Sequence, residues 1–211
     1  MCFGSAADLA EWASAFFIDA AAPLRNPDHE HLHSASIGFL WTNVSNAKKG
    51  RMVIGTADPG APHGAMGKWG RAKATLQVTD WFGMVPDSII TLDADWWLQA
   101  SDAEACVLIE HELYHCAQDR DEYSSPKFNR WTGRPVFTMR GHDVEEFIGV
   151  VRHYGADAAG IPALIEAAEA EPEIAAAGIA QCCGTCRGAT LSATRPILSR
   201  ALSYRACASA S

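Results

Sequence analysis

The sequence of 211 residues lacks several features that would each mark a class of protein. It has no apolar run approaching the roughly eighteen residues that a membrane-spanning helix needs. Its N-terminus has no basic region ahead of the apolar residues, so we expect no secretory signal and a cytoplasmic location. Basic side chains are also scarce, 17 against 25 acidic ones, which gives a net charge of -8. Because general binding to nucleic acid needs a basic surface, we expect neither a nucleic-acid partner nor a membrane.

Cysteine is present, but not in a pattern typical of a disulfide framework or a thiolate metal site. The seven cysteines are an odd number, and a cytoplasmic protein keeps most thiols reduced. A four-thiolate zinc site needs two Cys-x-x-Cys pairs, and the sequence has one evident pair, Cys183 and Cys186. We therefore expect mostly reduced thiols and leave open a role for Cys182, Cys183, Cys186 and Cys207.

The composition is that of a globular protein, with 48% hydrophobic and 20% charged residues. Periodicity and turn residues predict strands at residues 37–43, 51–57, 73–82 and 88–93, the first two joined as a hairpin. They predict helices at residues 6–21, 27–37, 101–118, 143–155, 161–170, 173–180 and 195–206, with loops at 58–70 and 119–141. The fold class is therefore α+β, with a small, mostly antiparallel sheet packed against the helix from residue 101 and further helices. We expect one domain over residues 1–160 and a helical, cysteine-containing extension over residues 161–211.

The residues with recognisable chemistry are concentrated in the helix predicted from residue 101. Ser101 and Glu104 form a capping box that starts this helix, and residues 111–115 read His-Glu-Leu-Tyr-His. On a helix, His111 and His115 lie one turn apart on the same face and can hold one zinc ion. Glu112 is placed to take a proton from a water molecule on that ion.

The same three letters also occur at residues 29–33, so the pattern by itself does not identify the site. The match at 111–115 lies inside a capped helix with apolar neighbours, which hold ligands rigidly and exclude water. The match at 29–33 has few apolar neighbours and would lie in the first turns of a short helix that Asn26 caps. We therefore interpret residues 29–33 as a solvated polar turn and residues 111–115 as the metal-binding motif.

Two histidines do not complete a catalytic zinc site, which usually has three protein ligands and an open fourth position. The first candidate for the third ligand is His142, 27 residues after His115 and at the start of the next predicted helix. Glu145 and Glu146 are the alternatives, since some zincins use a glutamate from the following helix. Asp143, Glu145 and Glu146 are also candidates to accept the other ring N–H of a ligating histidine.

The order of these features resembles the phage metallopeptidases, small zincin-like proteins encoded in phages and prophages. The resemblance rests on the strand at 88–93, the His-Glu-Leu-Tyr-His helix, the loop after it and His142-Asp143-Val144-Glu145-Glu146-Phe147. More distantly, the chain is similar to the SprT-like proteases, whose third zinc ligand is a histidine in a His-Gly-x-x-aromatic pattern. Here Asp143 stands in place of that glycine, and Phe147 comes one residue late.

The resemblance implies a zincin fold and zinc-dependent peptide hydrolysis, with a substrate peptide added as an extra strand to residues 88–93. We therefore predict a zinc metallopeptidase, a hydrolase that acts on a peptide or protein substrate. One catalytic zinc ion would be held by His111, His115 and His142, with Glu112 as the general base. The alternative is a non-catalytic phage or prophage interaction or assembly protein that zinc stabilises.

Overall fold

A computed structural model describes residues 2–48, 50–64, 67–144, 148–158 and 160–170. They form two compact units, one whose described part runs up to Arg140 and one from Gly141 onward, which we describe separately. The helices predicted at 173–180 and 195–206 lie outside the described residues, as do Cys182, Cys183, Cys186 and Cys207. The predicted division near residue 160 stays a prediction.

The first unit is built on a four-stranded sheet. Its order is β1 (Phe3–Ser5), β2 (Ile37–Thr42), β6 (Ser88–Asp93) and β5 (Gly55–Pro59). The central pair, β2 and β6, is parallel, and both outer pairs are antiparallel. The small, mostly antiparallel sheet expected from the sequence is therefore confirmed, together with the mixed α+β class.

The predicted hairpin between residues 37–43 and 51–57 is wrong. Two short strands, β3 (Ala47–Lys48) and β4 (Arg51–Met52), pair with each other instead, and β5 pairs with β6. The reason lies in the side chains, because β2 and β6 are apolar on both faces and take the buried centre of the sheet. β5 carries Thr56 and Asp58 and ends in Pro59, a composition typical of an edge strand.

This pairing also excludes the strand that we expected to receive the substrate. β6 is hydrogen-bonded to β2 on one side and to β5 on the other. A strand with two partners has no unpaired backbone groups to offer a third, so a peptide cannot add to residues 88–93. In the described part of this sheet, the edges belong to β1 and β5.

Helices cover both faces of the sheet. The main core lies on one face and receives four side chains from β2 and β6: Phe39, Trp41, Ile90 and Leu92. They pack there with side chains of α1 (Ala7–Ala13), of the π-helix Ser14–Ile18 and of α4 (Asp102–His115). The alternate residues Leu40 and Ile89 pack with Val78 of α2 (Lys68–Phe82) on the other face.

The helix predicted at 6–21 is thus present as α1 and the π-helix. The short helix predicted from residue 27 is the 3₁₀ helix Pro27–Ser34, and α3 (Ala94–Trp97) was not predicted.

The strand predicted at residues 73–82 is wrong, because this segment lies within α2. The alternation of apolar and polar residues suggested the two faces of a strand. In the structure Leu76 is 66% exposed whereas Val78 is buried, so these alternate positions do not share a face. Gly83 ends α2 with φ of 72°, the left-handed conformation in which glycine commonly terminates helices.

Helix α4 begins where the capping box predicts. Ser101 Oγ accepts a hydrogen bond from the Glu104 backbone N–H at 3.3 Å, and Glu104 Oε2 accepts one from the Ser101 backbone N–H at 2.8 Å. The helix ends at His115 rather than near residue 118, because Cys116–Gln118 forms strand β7. β7 pairs antiparallel with β8, Phe137–Met139, so the predicted loop at 119–141 contains one strand of a hairpin.

The second unit contains two described helices, α5 (Ile148–Ala158) and α6 (Pro162–Glu169). α5 is interrupted at Gly155, where the sequence predicts a helix end, and α6 matches the helix predicted at 161–170. The helical spacing of Val144, Ile148 and Val151 in the sequence predicts a buried stripe, but Ile148 is 76% exposed. Among the described residues of the whole chain, no helix combines the length and the apolar character needed to cross a bilayer.

Candidate metal centre

The burial pattern of α4 directs Glu112 towards the core. The buried positions of the helix recur at intervals of three and four residues: Ala105, Leu108, Ile109, Glu112 and Leu113. This is the spacing of one helical face. Glu112 is fully buried, with 0% of its surface exposed, whereas His111 and His115 are half-buried beside it. A carboxylate is thereby held in the apolar face of the helix next to two potential metal ligands.

The three histidines predicted as metal ligands lie close together. One ligand nitrogen from each of His111, His115 and His142 lies within 4.8 Å of the other two. Nitrogens bound to one tetrahedral zinc ion at roughly 2.0–2.1 Å are about 3.4 Å apart, so small side-chain rotations would bring the set around an ion. The three histidines could therefore hold a metal ion. Glu145 and Glu146, the alternatives for the third ligand, lie outside the described residues.

A backbone carbonyl orients His115. His115 Nδ1 is 2.6 Å from the carbonyl oxygen of Arg140, and the Arg140 backbone N–H donates to the His115 carbonyl oxygen at 2.9 Å. If His115 Nδ1 carries the proton, Nε2 is left as the metal-ligating atom, as in many histidine metal sites. The sequence suggested a carboxylate for this role, and backbone groups leave no trace in the sequence by which Arg140 could have been found.

Glu112 packs against the first residue of β5. A Cβ atom built on Gly55 would lie 2.6 Å from Glu112 Oε1 and 3.1 Å from Leu108 Cδ1. The first distance is shorter than real Cβ contacts, so the carboxylate can occupy this position only because residue 55 has no side chain. Gly55 therefore leaves the space that the Glu112 carboxylate occupies on the side of the sheet. No motif in the sequence indicates this approach.

Comparison with protein families agrees with this arrangement. The family model described as "Putative phage metallopeptidase" matches residues 10–169, which is most of the 211-residue chain. The chain belongs to the phage metallopeptidase family. Searches among curated proteins and among solved structures returned no match. The more distant likeness to SprT-like proteases stays a prediction.

Membership of this family supports the more general of our expectations about reaction, metal and substrate. A metallopeptidase is a hydrolase, it uses a metal ion, and its substrates are peptides or proteins. The cluster of His111, His115 and His142 could hold such an ion.

An N-terminal brace supports the last turns of α4. We give this name to Asn26, Asp28, His29 and His31. Asn26 Nδ2 donates to Glu110 Oε1 at 2.9 Å and to Tyr114 Oη at 2.7 Å. Tyr114 Oη in turn donates to Asp28 Oδ2 at 3.0 Å, and burial raises the pKa of Tyr114, so that it keeps its proton. His31 Nε2 lies 2.7 Å from the carbonyl oxygen of Cys116. Glu110, Tyr114 and Cys116 are direct neighbours in sequence of His111 and His115, so the brace limits movement of the helix at these two histidines.

The second motif match, at residues 29–33, does not form a metal site. It lies on the 3₁₀ helix, which has three residues per turn, so positions four apart point about 120° away from each other. His29 is accordingly 1% exposed and His33 exposed. The interpretation as a solvated turn is wrong for His29, whose ring packs edge-on against Tyr114 with centroids 4.6 Å apart. Among the described residues, neither ring nitrogen of His29 has a hydrogen-bond partner.

The burial of His29 predicts a loss of stability in mild acid. Burial, with a smaller contribution from His31, lowers the pKa of His29 from 6.5 to about 4. Below pH 6.5 the unfolded chain binds this proton, whereas the folded chain resists it down to about pH 4. The free energy of unfolding should therefore fall across that window as the pH decreases. Urea denaturation of the metal-free protein at about pH 7.5 and about pH 5 measures the loss.

Two variants test whether His29 causes this loss of stability. His29→Phe keeps a ring and removes the titrating nitrogen, so its stability should fall less between the two pH values than that of the parent. His33→Gln changes an exposed position of the same helix and should keep the parent's pH dependence. An equal fall in His29→Phe and the parent would contradict the assignment.

Two described cysteines, Cys106 and Cys116, are not available as metal ligands near neutral pH. Cys106 and Cys116 are free thiols. Burial raises the pKa of Cys106 to about 11 and that of Cys116 to about 12, so both stay protonated near neutral pH. Cys2 is disulfide-bonded, so among the described cysteines the expectation of reduced thiols holds for Cys106 and Cys116 but not for Cys2.

Proposed function

We propose that this protein is a zinc-dependent peptidase in which Glu112 is the general base and His111, His115 and His142 hold one ion. The observation that carries the proposal is the proximity of three histidine nitrogens, within 4.8 Å of one another, on and near the helix that buries Glu112. Nitrogen donors in this number suit zinc, with a fourth position for water. The cytoplasmic location stays a prediction.

The residues around the metal centre have distinct roles in this mechanism. Bound zinc supplies a Lewis acid that brings the pKa of a water molecule towards about 7. Glu112 takes a proton from the attacking water and passes it to the leaving amine. Burial serves this role by keeping bulk solvent away from the carboxylate. Gly55 leaves room for the carboxylate, and the Arg140 carbonyl orients His115.

An extended substrate would lie along β5, the edge strand that contacts α4. Asp93 N–H donates to the Ile54 carbonyl, and Gly60 N–H donates to the Asp87 carbonyl. In an antiparallel pair, residues whose backbone groups face the partner strand alternate with residues whose groups face away from it. Because Ile54 and Gly60 face β6, the backbone N–H and C=O groups of Gly55 and Ala57 face away from it. Those groups are the ones that could pair with a peptide, and Gly55 is also the residue against Glu112. We propose β5 in place of residues 88–93 as the strand that receives the substrate.

The function is tested by zinc content and peptide cleavage in the same preparations. The parent should hold about one zinc ion per chain and cleave a fluorescence-quenched peptide library, and chelation should abolish the cleavage reversibly. His142→Ala should bind zinc more than roughly 100-fold more weakly, since loss of a ligand exceeds the effect typical of an outer hydrogen-bond partner. It should lose cleavage at limiting zinc.

A double variant, Glu145→Gln with Glu146→Gln, tests the alternative third ligand. It should keep the parent's zinc affinity if His142 is the ligand, and the opposite result in the two variants would reassign the position. Zinc at one ion per chain with no cleavage of any peptide would instead favour the non-catalytic, zinc-stabilised interaction protein.

A further inference from the structure

The segment between β7 and β8 is a folded projection, which we call the arm and define as residues 119–136. Its backbone is held by hydrogen bonds such as Asp119 N–H to the Val136 carbonyl at 2.7 Å and Val136 N–H to the Lys127 carbonyl at 3.0 Å. Arg134 Nη2 fixes it to the body of the first unit by donating to Asp87 Oδ2 at 2.9 Å and to the Ser34 carbonyl at 3.1 Å. The arm is therefore an ordered element with its own internal bonding.

Two tight turns form the tips of the arm. In the first, Asp121 Oδ1 accepts from the backbone N–H groups of Tyr123 and Ser125, both at 2.9 Å. In the second, Asn129 Oδ1 accepts from the N–H groups of Trp131 at 2.9 Å and of Thr132 at 3.1 Å. A side chain that bonds the backbone two residues ahead fixes a turn locally. Both tips are therefore preformed before anything binds to them.

These fixed tips present aromatic side chains to solvent. Tyr123 is 80% exposed, Trp131 is 87% exposed, and Phe128 between them is 58% exposed. Rigid aromatic side chains on ordered turns offer a large apolar area at a low cost in conformational entropy, which is the pattern of residues that dominate binding interfaces. Each of the three rings therefore has the properties of a residue that recognises a partner.

The charges of the arm indicate that this recognition is apolar. Lys127 forms an ion pair with Asp119 at 2.8 Å, and Arg134 pairs with Asp87. Arg120 Nη1 donates to the Ser124 carbonyl at 2.7 Å. Of the four cations in the arm, only Arg130 has a side chain without an ion pair or hydrogen bond in the part of the chain that the structure describes. The arm also contains three acidic residues, Asp119, Asp121 and Glu122, so it has little free positive charge with which to attract a polyanion. This argues for an apolar polypeptide rather than a nucleic acid as the ligand.

The position of the arm in the chain indicates what it would bind. β7 follows His115 directly, and β8 ends at Met139, next to the residue whose backbone bonds to His115. Tyr123 lies seven residues beyond Cys116, so the tip is at most about 25 Å along the chain from the metal helix. An extended peptide of about seven or eight residues spans that distance. Whatever the arm binds is thus held within reach of Glu112.

We propose that the arm is a substrate-docking surface that binds an apolar or aromatic side chain of an unfolded polypeptide, several residues away from the bond to be cleaved. This inference rests on the proposed peptidase function for the identity of the ligand. Long, unfolded chains would engage the tips and the metal centre together, whereas a short peptide would reach only the metal centre. The arm therefore selects for unfolded protein over small peptides.

Binding is tested in zinc-loaded Glu112→Gln protein, where no turnover interferes. The probe is fluorescently labelled, reduced and carboxymethylated α-lactalbumin, an unfolded protein, and the readout is fluorescence anisotropy. Adding Tyr123→Ala and Trp131→Ala should raise the Kd by at least about 10-fold. Trp69→Ala is the matched control, since Trp69 is equally exposed at 83% but lies on α2, and it should leave the Kd unchanged. An unchanged Kd in the arm variant, or no binding by the Glu112→Gln parent, would overturn the proposal.

Activity measurements distinguish the contribution of the arm from that of the metal centre. In the otherwise native chain, the arm variant should lose at least about 10-fold in kcat/KM on the unfolded protein and stay within about twofold on a quenched hexapeptide. An equal loss on both substrates would refute a docking role. If no preparation cleaves anything but the arm variant still loses binding, the peptidase function fails and the docking surface remains. Displacement of the protein probe by a single-stranded oligonucleotide would overturn the assignment of a polypeptide ligand.

Discussion

Replacing Glu112 with glutamine should leave zinc bound and lower the rate of peptide cleavage by about 100- to 10,000-fold, the range for loss of general acid–base catalysis. Glutamine has the size and shape of glutamate but cannot accept a proton from water. The side chain is fully buried and does not belong to the proposed ligand set. The substitution also removes a charge from the core, so the fold should be as stable as in the parent or more so.

The measurement is kcat on a quenched peptide, with zinc content and the unfolding midpoint determined on the same sample. Glu11→Gln is the matched control, because Glu11 is an exposed glutamate on α1. It should cleave at the parent's rate. Cleavage by Glu112→Gln at the parental rate would contradict a role for Glu112 as the base, and loss of zinc in that variant would mean that the side chain supports the metal site instead.

The local parts of this site were readable from the sequence because they depend on residues close together in the chain. The capping box of Ser101 and Glu104 sets the start of α4, and helical geometry then places His111 and His115 on one face. The same reasoning explains the false match at residues 29–33. The letters are identical, but the 3₁₀ helix separates His29 from His33, and only the backbone conformation distinguishes the two motifs.

The parts that the sequence did not reveal depend on contacts between distant segments. β2 pairs with β6 across three intervening strands and a helix, and no short-range pattern specifies that partner. Asn26 bonds to Tyr114, 88 residues away, although its local role as a helix cap was evident. Arg140 acts through its carbonyl oxygen, which every residue type supplies. The sequence thus predicts which side chains come together better than it predicts what holds them.

Among the contacts that the sequence did not reveal, the one at Gly55 should have the largest measurable effect on activity. Gly55→Ala should lower kcat about 100-fold while zinc stays at one ion per chain, because misplacing a catalytic group by about 1 Å can have an effect of that size. The added Cβ would lie 2.6 Å from Glu112 Oε1 and 3.1 Å from Leu108 Cδ1. The carboxylate can turn away more easily than the packed leucine, so the base moves and the metal ligands do not.

The matched control is Gly67→Ala, at the start of α2. Gly67 has φ of -63° and no atom within 4 Å of an added Cβ, so alanine should be accepted there without loss of activity. Overpacking at Gly55 can also destabilise the fold by about 1–3 kcal/mol, so activity is measured well below the unfolding midpoint of the variant.

A double variant distinguishes displacement of Glu112 from general damage. Aspartate at position 112 withdraws the carboxylate from Gly55 by about one carbon–carbon bond, so it should cost much activity in the parent. In Gly55→Ala the base is already displaced, and adding Glu112→Asp should therefore cost less there than in the parent, because the two residues act on one contact. Strictly multiplicative losses would mean that Gly55 affects the enzyme by a route other than Glu112. Parental kcat in Gly55→Ala would mean that the carboxylate functions from another position.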